Sequence, residues 1–173
     1  DKVIRISRVY GTYDFPADFM LCAAMNPCPC GHYPDMNRCR CTPAQVMQYL
    51  GRISQPLLDR LDLCAEVSPV DFEGLSSGRK GESTQTIRER VICAQDIQRE
   101  RYKIEGIQFN GELSGAQIEK YCKMEKDARQ LLKMAFQNMP FSARAYHRIL
   151  KVARTIADME ATESIHRHHI AEA

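Results

Sequence analysis

The sequence predicts an α/β layer followed by an all-α domain, and three observations predict it. Before residue 71, a β-branched hairpin pattern is joined by two apolar runs of strand length, residues 19–25 and 63–70. The stretch 71–83 then carries three glycines among serines and charges, the composition of a linker. Beyond it, the apolar residues recur at helical spacing and capping signals recur before them. Accordingly, residues 1–70 read as part of an α/β core, 71–83 as a linker and 84–173 as a small helical domain. A length of 173 residues fits one domain or two small ones. The sheet part has too few strands to complete a core unaided. The chain also opens at Asp1 in mid-pattern, so the expectation is an excised part of something larger, with the missing strands upstream.

Hydrophobic residues make up 44% of the chain and charged residues 27%, an ordinary mixture for a globular protein. The formal net charge is only +2, so a nucleic-acid contact needs a local basic face rather than global attraction. No apolar run approaches the roughly 18 residues of a membrane helix, and no secretory pattern opens the chain. Eight cysteines in that context point to a reducing compartment, hence a cytoplasmic protein, where thiols hold metal more often than each other.

In chain order, residues 3–9 (VIRISRV) alternate β-branched and charged side chains. Tyr10, Gly11 and Thr12 read as a turn and residues 13–15 return, which predicts a β-hairpin. Lys2, Arg5 and Arg8 decorate it, either as a solvated face that discourages edge pairing or as a basic surface for phosphates. Residues 19–25 (FMLCAAM) read as a strand buried on both faces and stopped by Asn26-Pro27. After a cysteine-rich insert, Thr42-Pro43 opens a helix with Val46, Tyr49 and Leu50 inward. Pro56 opens a short helix that turns Leu57, Leu58 and Leu61 inward and Arg60 to another side. Residues 63–70 read as a second strand.

Past the linker, Thr86 with Glu89 predicts a capping box, and Ile87, Val91, Ala94 and Ile97 the apolar face of a helix ending near Tyr102. Ser114 with Gln117 repeats the signal for a short helix ending near Cys122. Ala128, Leu131, Leu132, Ala135 and Phe136 mark a third helix, stopped by Pro140. Ser142 caps a fourth that reaches about Glu160, with Tyr146, Ile149, Ala153, Ile156 and Ala157 as its stripe. A fifth begins near Glu163.

The insert holds Cys28/Cys30 and Cys39/Cys41, four thiols within fourteen residues. Zinc takes four ligands in a tetrahedron and prefers thiolate, while Pro29, Gly31 and Pro34 supply turns that fold the loop back. The reading is a structural Zn²⁺ site; a catalytic metal is disfavoured because four thiolates close the shell to water. Four unmetallated cysteines, reduced or disulfide-paired, remain an alternative, as does His32 in place of one thiolate. Three other polar residues stand at informative places. Asn26 ends a strand at its carboxyl edge, where open α/β sheets place ligands, and could orient a water or a phosphate oxygen; it could equally only cap a loop. Arg60 carries a planar fork suited to phosphate, unless Asp59, Asp62 or Glu66 pairs with it. Arg144 sits in the first turn of a helix, where a cation gains nothing unless an anion is near, and Arg148 continues that stripe one turn on. No nucleophile–base pair stands out, His147, His166, His168 and His169 form no recognisable site, and no GxxxxGK[ST] phosphate loop occurs.

The segments AAMNPCPCG, RCRCTPAQV, GRISQPLLDRLDL and SARAYHRILKVARTIADME together resemble the magnesium-chelatase-like AAA+ ATPases of bacteria, in their competence-associated branch. The resemblance spans nearly the whole chain. It implies the C-terminal part of such an ATPase: an incomplete AAA+ sheet layer with a hairpin and cysteine insert, then a helical lid. It implies that Asn26 is the sensor that positions the water attacking the γ-phosphate. Arg60 matches the arginine finger that reaches a neighbouring subunit's nucleotide, and Arg144 the lid arginine that contacts its own subunit's nucleotide. The hairpin resembles one that faces a central pore. Two positions depart from the pattern: Gln55 stands where a glycine is expected, and Cys64, read as a small filler on a buried strand, where a histidine is expected.

The function implied is an ATP- and Mg²⁺-dependent motor acting on DNA during recombination or transformation, as a homo-oligomeric ring, a hexamer. With no phosphate loop in this stretch, the chain by itself should not hydrolyse ATP. Two rivals remain: an ATPase subunit that drives metal insertion into a porphyrin, and a non-enzymatic zinc-stapled DNA-binding or adaptor domain.

Overall fold

A computed structural model describes residues 2–173 except 69, 71, 73–75, 77, 79, 80 and 140. Most of the expected linker, and the stop at Pro140, therefore lie outside the described residues. The fold is mixed α/β, with a two-stranded sheet and, among the described residues, seven α-helices. It divides into two compact units, Asp1–Ser54 and Gln55–Ala173. The division falls before residue 55, ahead of the expected linker, because residues 59 and 61 are hydrogen-bonded to a helix of the second unit.

In the first unit, β1 (Val3–Arg8) and β2 (Gly11–Pro16) form an antiparallel hairpin in the register Val3↔Pro16 to Arg8↔Gly11. The loop is thus Val9–Tyr10, one residue earlier than the expected turn, because Gly11 already pairs with Arg8. Residues 17–26 follow without a ladder partner, and residues 63–68 of the second unit are likewise unpaired. Both were expected as strands. A strand is held by the hydrogen-bond ladder to its neighbour, and the hairpin is the one sheet among the described residues. Met20 and Val67 are accordingly 92% and 88% exposed rather than buried. Cys64, expected as a buried filler, is exposed for the same reason. Helix α1 (Pro43–Leu50) begins as expected: Thr42 and Gln45 cap each other reciprocally, and Pro43 fills the first position. Of its three expected inward residues only Val46 is buried, and Leu50 is exposed.

The second unit opens with α2 (Gln55–Leu58), a single turn. Helix α3 (Thr84–Tyr102) starts two residues before the expected cap. Ser83 Oγ accepts from the Thr86 amide at 3.1 Å, and Glu89 pairs with Gln85 instead of closing a box. Its buried face is Ala94, Gln98 and Tyr102, while Ile87 and Val91 stay exposed. A 3-10 turn (Asn110–Glu112) leads to α4 (Gly115–Tyr121), capped by Ser114 and Gln117 as expected. Then come α5 (Lys126–Asn138), α6 (Ala143–Met159) and α7 (Arg167–Glu172). Helix α7 starts four residues later than expected, because the approach to it is held extended by a parallel bridge, Met124↔Ile165. Helix α6 is the centre: α3, the 3-10 turn, α4 and α7 all pack on it around Leu150, Ala153 and Ala157. No described helix is long and apolar enough to cross a membrane.

The same core carries a polar network that apolar periodicity does not reveal. Asp158 and Arg154 on α6 are fully buried. Asp158 accepts two N–H groups from Arg101, one from Asn110 Nδ2 at 2.8 Å and one from Arg154 Nε at 3.2 Å. Arg154 also donates to the carbonyls of Thr162 and Glu163, which shapes the turn after α6. Asn110 accepts from the Tyr102 hydroxyl, and its amide donates to Gln98 Oε1 at 2.9 Å. Among the described residues no buried side-chain nitrogen or oxygen lacks a partner, the condition under which a buried polar network can be tolerated.

Candidate functional site: a cysteine cage and an arginine cleft

The cysteine insert folds through its own backbone. Gly31, at φ +80°, donates its amide to the Cys28 carbonyl at 3.0 Å, a left-handed turn that favours glycine. Asp35 accepts amides from Arg38 and Cys39, which returns the chain toward its start. The result brings Cys28, Cys30, Cys39 and Cys41 together, with all four sulfurs within 4.8 Å of one another. Cys28 Sγ lies 3.4 Å from Cys30 Sγ and 3.9 Å from Cys39 Sγ, and Cys30 Sγ lies 3.7 Å from Cys39 Sγ. None of the eight cysteines forms a disulfide. A tetrahedral ion with Zn–S near 2.3 Å sets its sulfurs about 3.8 Å apart, so the cage has the size and donor set for one. His32 is not part of it.

The thiols are electrostatically unequal. The backbone amides of Arg40 and His32 pull the Cys30 thiol down to about 6. At Cys41 the Cys30 amide acts in the same direction, but burial and the neighbouring Cys30 and Cys28 sulfurs outweigh it and push that thiol up to about 12. One thiolate forms readily and the last is resisted by its neighbours, as expected of four thiols crowded together. Asn26 lies at the mouth of this loop: a Cβ built on Gly31 would sit 3.9 Å from its amide group.

The second site lies wholly in the helical unit. Asp59, Arg60, Asp62, Arg144, His147, Arg148 and Lys151 line one cleft of about 340 Å³. Four of these are cations at neutral pH and two are anions, so the lining is net positive without counting His147. Arg60 donates to the carbonyl of Pro56 at 2.9 Å, which lays its side chain along α2. No ion pair joins it to Asp59, Asp62 or Glu66 among the described residues. Arg144 is exposed in the first turn of α6, behind Ser142, whose hydroxyl accepts from the Ala145 amide. Lys151 is tied to the Gly111 carbonyl at 2.8 Å, and Arg148 donates to the carbonyls of Asp59 and Leu61. Gln55 donates to Asp59 Oδ1 at 3.3 Å, bracing the turn that precedes Arg60.

Two models of known families match the chain. One, described as magnesium chelatase, subunit ChlI C-terminal, matches residues 81–173, more than half of it. The other, described as magnesium chelatase, subunit ChlI, matches residues 1–75. The chain belongs to the magnesium-chelatase ChlI family. Within reach of this family member are YifB of Salmonella typhimurium, 44% identical over 172 residues, and the competence protein ComM of Haemophilus influenzae, 43% identical over 171. YifB of Escherichia coli is 41% identical over 172 residues. Each alignment covers 98% of this chain and 33% of the relative, so the chain spans about a third of these proteins' length. Magnesium-chelatase-like proteins are related to the AAA+ ATPases, which is consistent with the mixed α/β fold.

Two further clusters in this ChlI-family chain lie outside these two sites. On the hairpin, Arg5 is held by Asp14 through two hydrogen bonds of 2.7 and 2.8 Å, and Lys2 pairs with Asp18 at 3.2 Å. Two of the three hairpin cations considered for nucleic acid thus already face carboxylates, and Arg8 alone has no acidic partner among the described residues. At the chain's other end, Glu160 Oε2 lies 2.9 Å from His168 Nε2 and 3.0 Å from His169 Nε2. Buried His169 also accepts the His166 amide at Nδ1, which assigns its proton to Nε2, aimed at the carboxylate. These contacts clamp the start of α7 to Glu160. Hydrogen bonds from His168 and His169 hold the Glu160 carboxyl below its ordinary range.

Proposed function

We propose that this chain is the distal part of a ring-forming, Mg²⁺-dependent ATPase that acts on DNA, and that Arg60 and Arg144 bind phosphate oxygens of ATP. The observation that carries the reading is the shared cleft, where two guanidinium groups without carboxylate partners among the described residues meet in a net-positive lining. Guanidinium is always charged, and its planar fork matches phosphate oxygens. In the ring, Arg60 is proposed to reach the neighbouring subunit's nucleotide and Arg144 to contact that of its own subunit, so that each triphosphate meets one of each. Asn26, in the other unit, is proposed to orient the attacking water. The relative named for competence favours work on DNA over porphyrin chemistry, and a homo-hexameric cytoplasmic ring is the assembly proposed. Purified complete protein is expected to hydrolyse ATP faster when branched DNA is added. ATP-dependent insertion of Mg²⁺ into a porphyrin, with no response to DNA, would establish the chelatase reading instead. The chain on its own, lacking a phosphate loop, is expected to show no turnover.

We also propose that Cys28, Cys30, Cys39 and Cys41 hold one structural Zn²⁺, with the four thiolates closing its shell. Metal analysis should return about one zinc per chain, and Cys39→Ser should lose it. Because binding displaces protons from thiols, the apparent affinity should rise with pH and fall as the medium is acidified through the range where Cys30 takes up its proton, about 6. Zinc-free protein purified under reducing conditions, with an ordered insert, would contradict the assignment.

A further inference from the structure

The turn that carries Arg60 has little to hold it. Helix α2 is one turn long, too short to persist on its own, and its Leu57 is 46% exposed. Among the described residues, the hydrogen bonds joining residues 55–62 to the later helices come from one side chain, Arg148. Its Nη1 donates to the Leu61 carbonyl at 2.7 Å and to the Asp59 carbonyl at 3.2 Å. Those two carbonyls flank Arg60 on either side, so a single nitrogen pins the backbone before and after it. Both N–H groups of that nitrogen are used in doing so. Arg148 is half-buried and lies one turn beyond Arg144 on the same helix, so the two share a face of α6.

We propose that Arg148 is a positioning residue: it splints the Arg60 turn to the helix that bears Arg144, so that the two phosphate-binding arginines are set by one rigid element. The proposal rests on the phosphate reading of the cleft. Its role differs from theirs, because Arg148 acts through backbone carbonyls and is not assigned a phosphate of its own. A guanidinium that places another group to within an ångström governs the rate rather than affinity.

The test uses the complete protein, comparing Arg148→Met, Arg148→Lys and Arg60→Ala by ATP turnover and by amide hydrogen exchange. Arg148→Met is expected to lower kcat on the order of 10- to 100-fold, with KM for ATP little changed, and to release protection in residues 57–63 while the remaining helices keep theirs. Arg148→Lys keeps a donor and should restore most of the rate. Unchanged protection at 57–63, or a change in KM with kcat intact, overturns the splint. Loosening across all the helices, or failure of both Arg148 variants to fold, assigns the residue to the scaffold and overturns it as well. A depressed rate in Arg60→Ala beside a normal one in Arg148→Met defeats this inference alone. Normal rates in both defeat the phosphate reading beneath it.

Discussion

Replacing Asp158 by alanine is expected to cost the helical unit about 3–5 kcal/mol, enough to lower its melting temperature by on the order of 10–20 °C. The reason is the asymmetry of buried charge. Asp158 is fully buried and is the carboxylate for two guanidinium groups, those of Arg101 and Arg154, and for Asn110 as well. Removing it strands cations in an interior that cannot solvate them, whereas removing a solvated ion pair leaves each partner to water. Asp96, exposed and paired with Arg99 at 3.0 Å, supplies the control, and its alanine variant should stay within about 0.5 kcal/mol of the parent. Thermal and urea denaturation measure both. A loss at Asp158 no larger than at Asp96 would mean that the network is not what holds α3, the 3-10 turn and α6 together.

The second large effect is on rate. Arg60→Ala in the complete protein should reduce ATP turnover by about 10³–10⁵, the range over which an arginine stabilises the charge that develops in phosphoryl transfer. Arg60 is poised for this: its turn is braced by Gln55 and Arg148, and no carboxylate neutralises it among the described residues. Lysine should rescue poorly, because an ammonium lacks the planar fork. Circular dichroism and melting should be unchanged in the Arg60 variants, since the side chain is exposed and among the described residues makes one hydrogen bond, to its own turn. Wild-type turnover in Arg60→Ala would remove this residue from the chemistry.

Legibility in the sequence followed how local each cause was. The caps at Thr42, Ser114 and Ser142 were readable because they need only a residue and its neighbour three positions on. The cysteine cage was readable for a similar reason, four donors on one short loop. The segments 19–25 and 63–68 were misread because apolar content reports a wish to be buried, while strand formation depends on a ladder partner elsewhere. The face of α3 was misjudged in the same way: Ile87 and Val91 are more apolar than Gln98, yet the helix buries Gln98, which has the Asn110 amide to receive. Arg154 and Asp158 could not be placed in the core from their residue types. An i,i+4 Arg–Asp pair, each member directly following a stripe alanine, Ala153 or Ala157, was the one available hint. Arg60 and Arg144 were picked out by residue type and resemblance, but that they share a cleft depends on contacts between distant parts of the chain.

The central claim is that two guanidinium groups distant in sequence, one from each of two neighbouring subunits, meet at each triphosphate of the ring, and a double-mutant cycle on the complete protein tests it most directly. Turnover is measured for the parent, Arg60→Ala, Arg144→Ala and the double variant. The account predicts strongly reduced rates in both single variants and a double variant little worse than Arg60→Ala alone. Losses that multiply in full, or single variants that keep the parental rate, would contradict it.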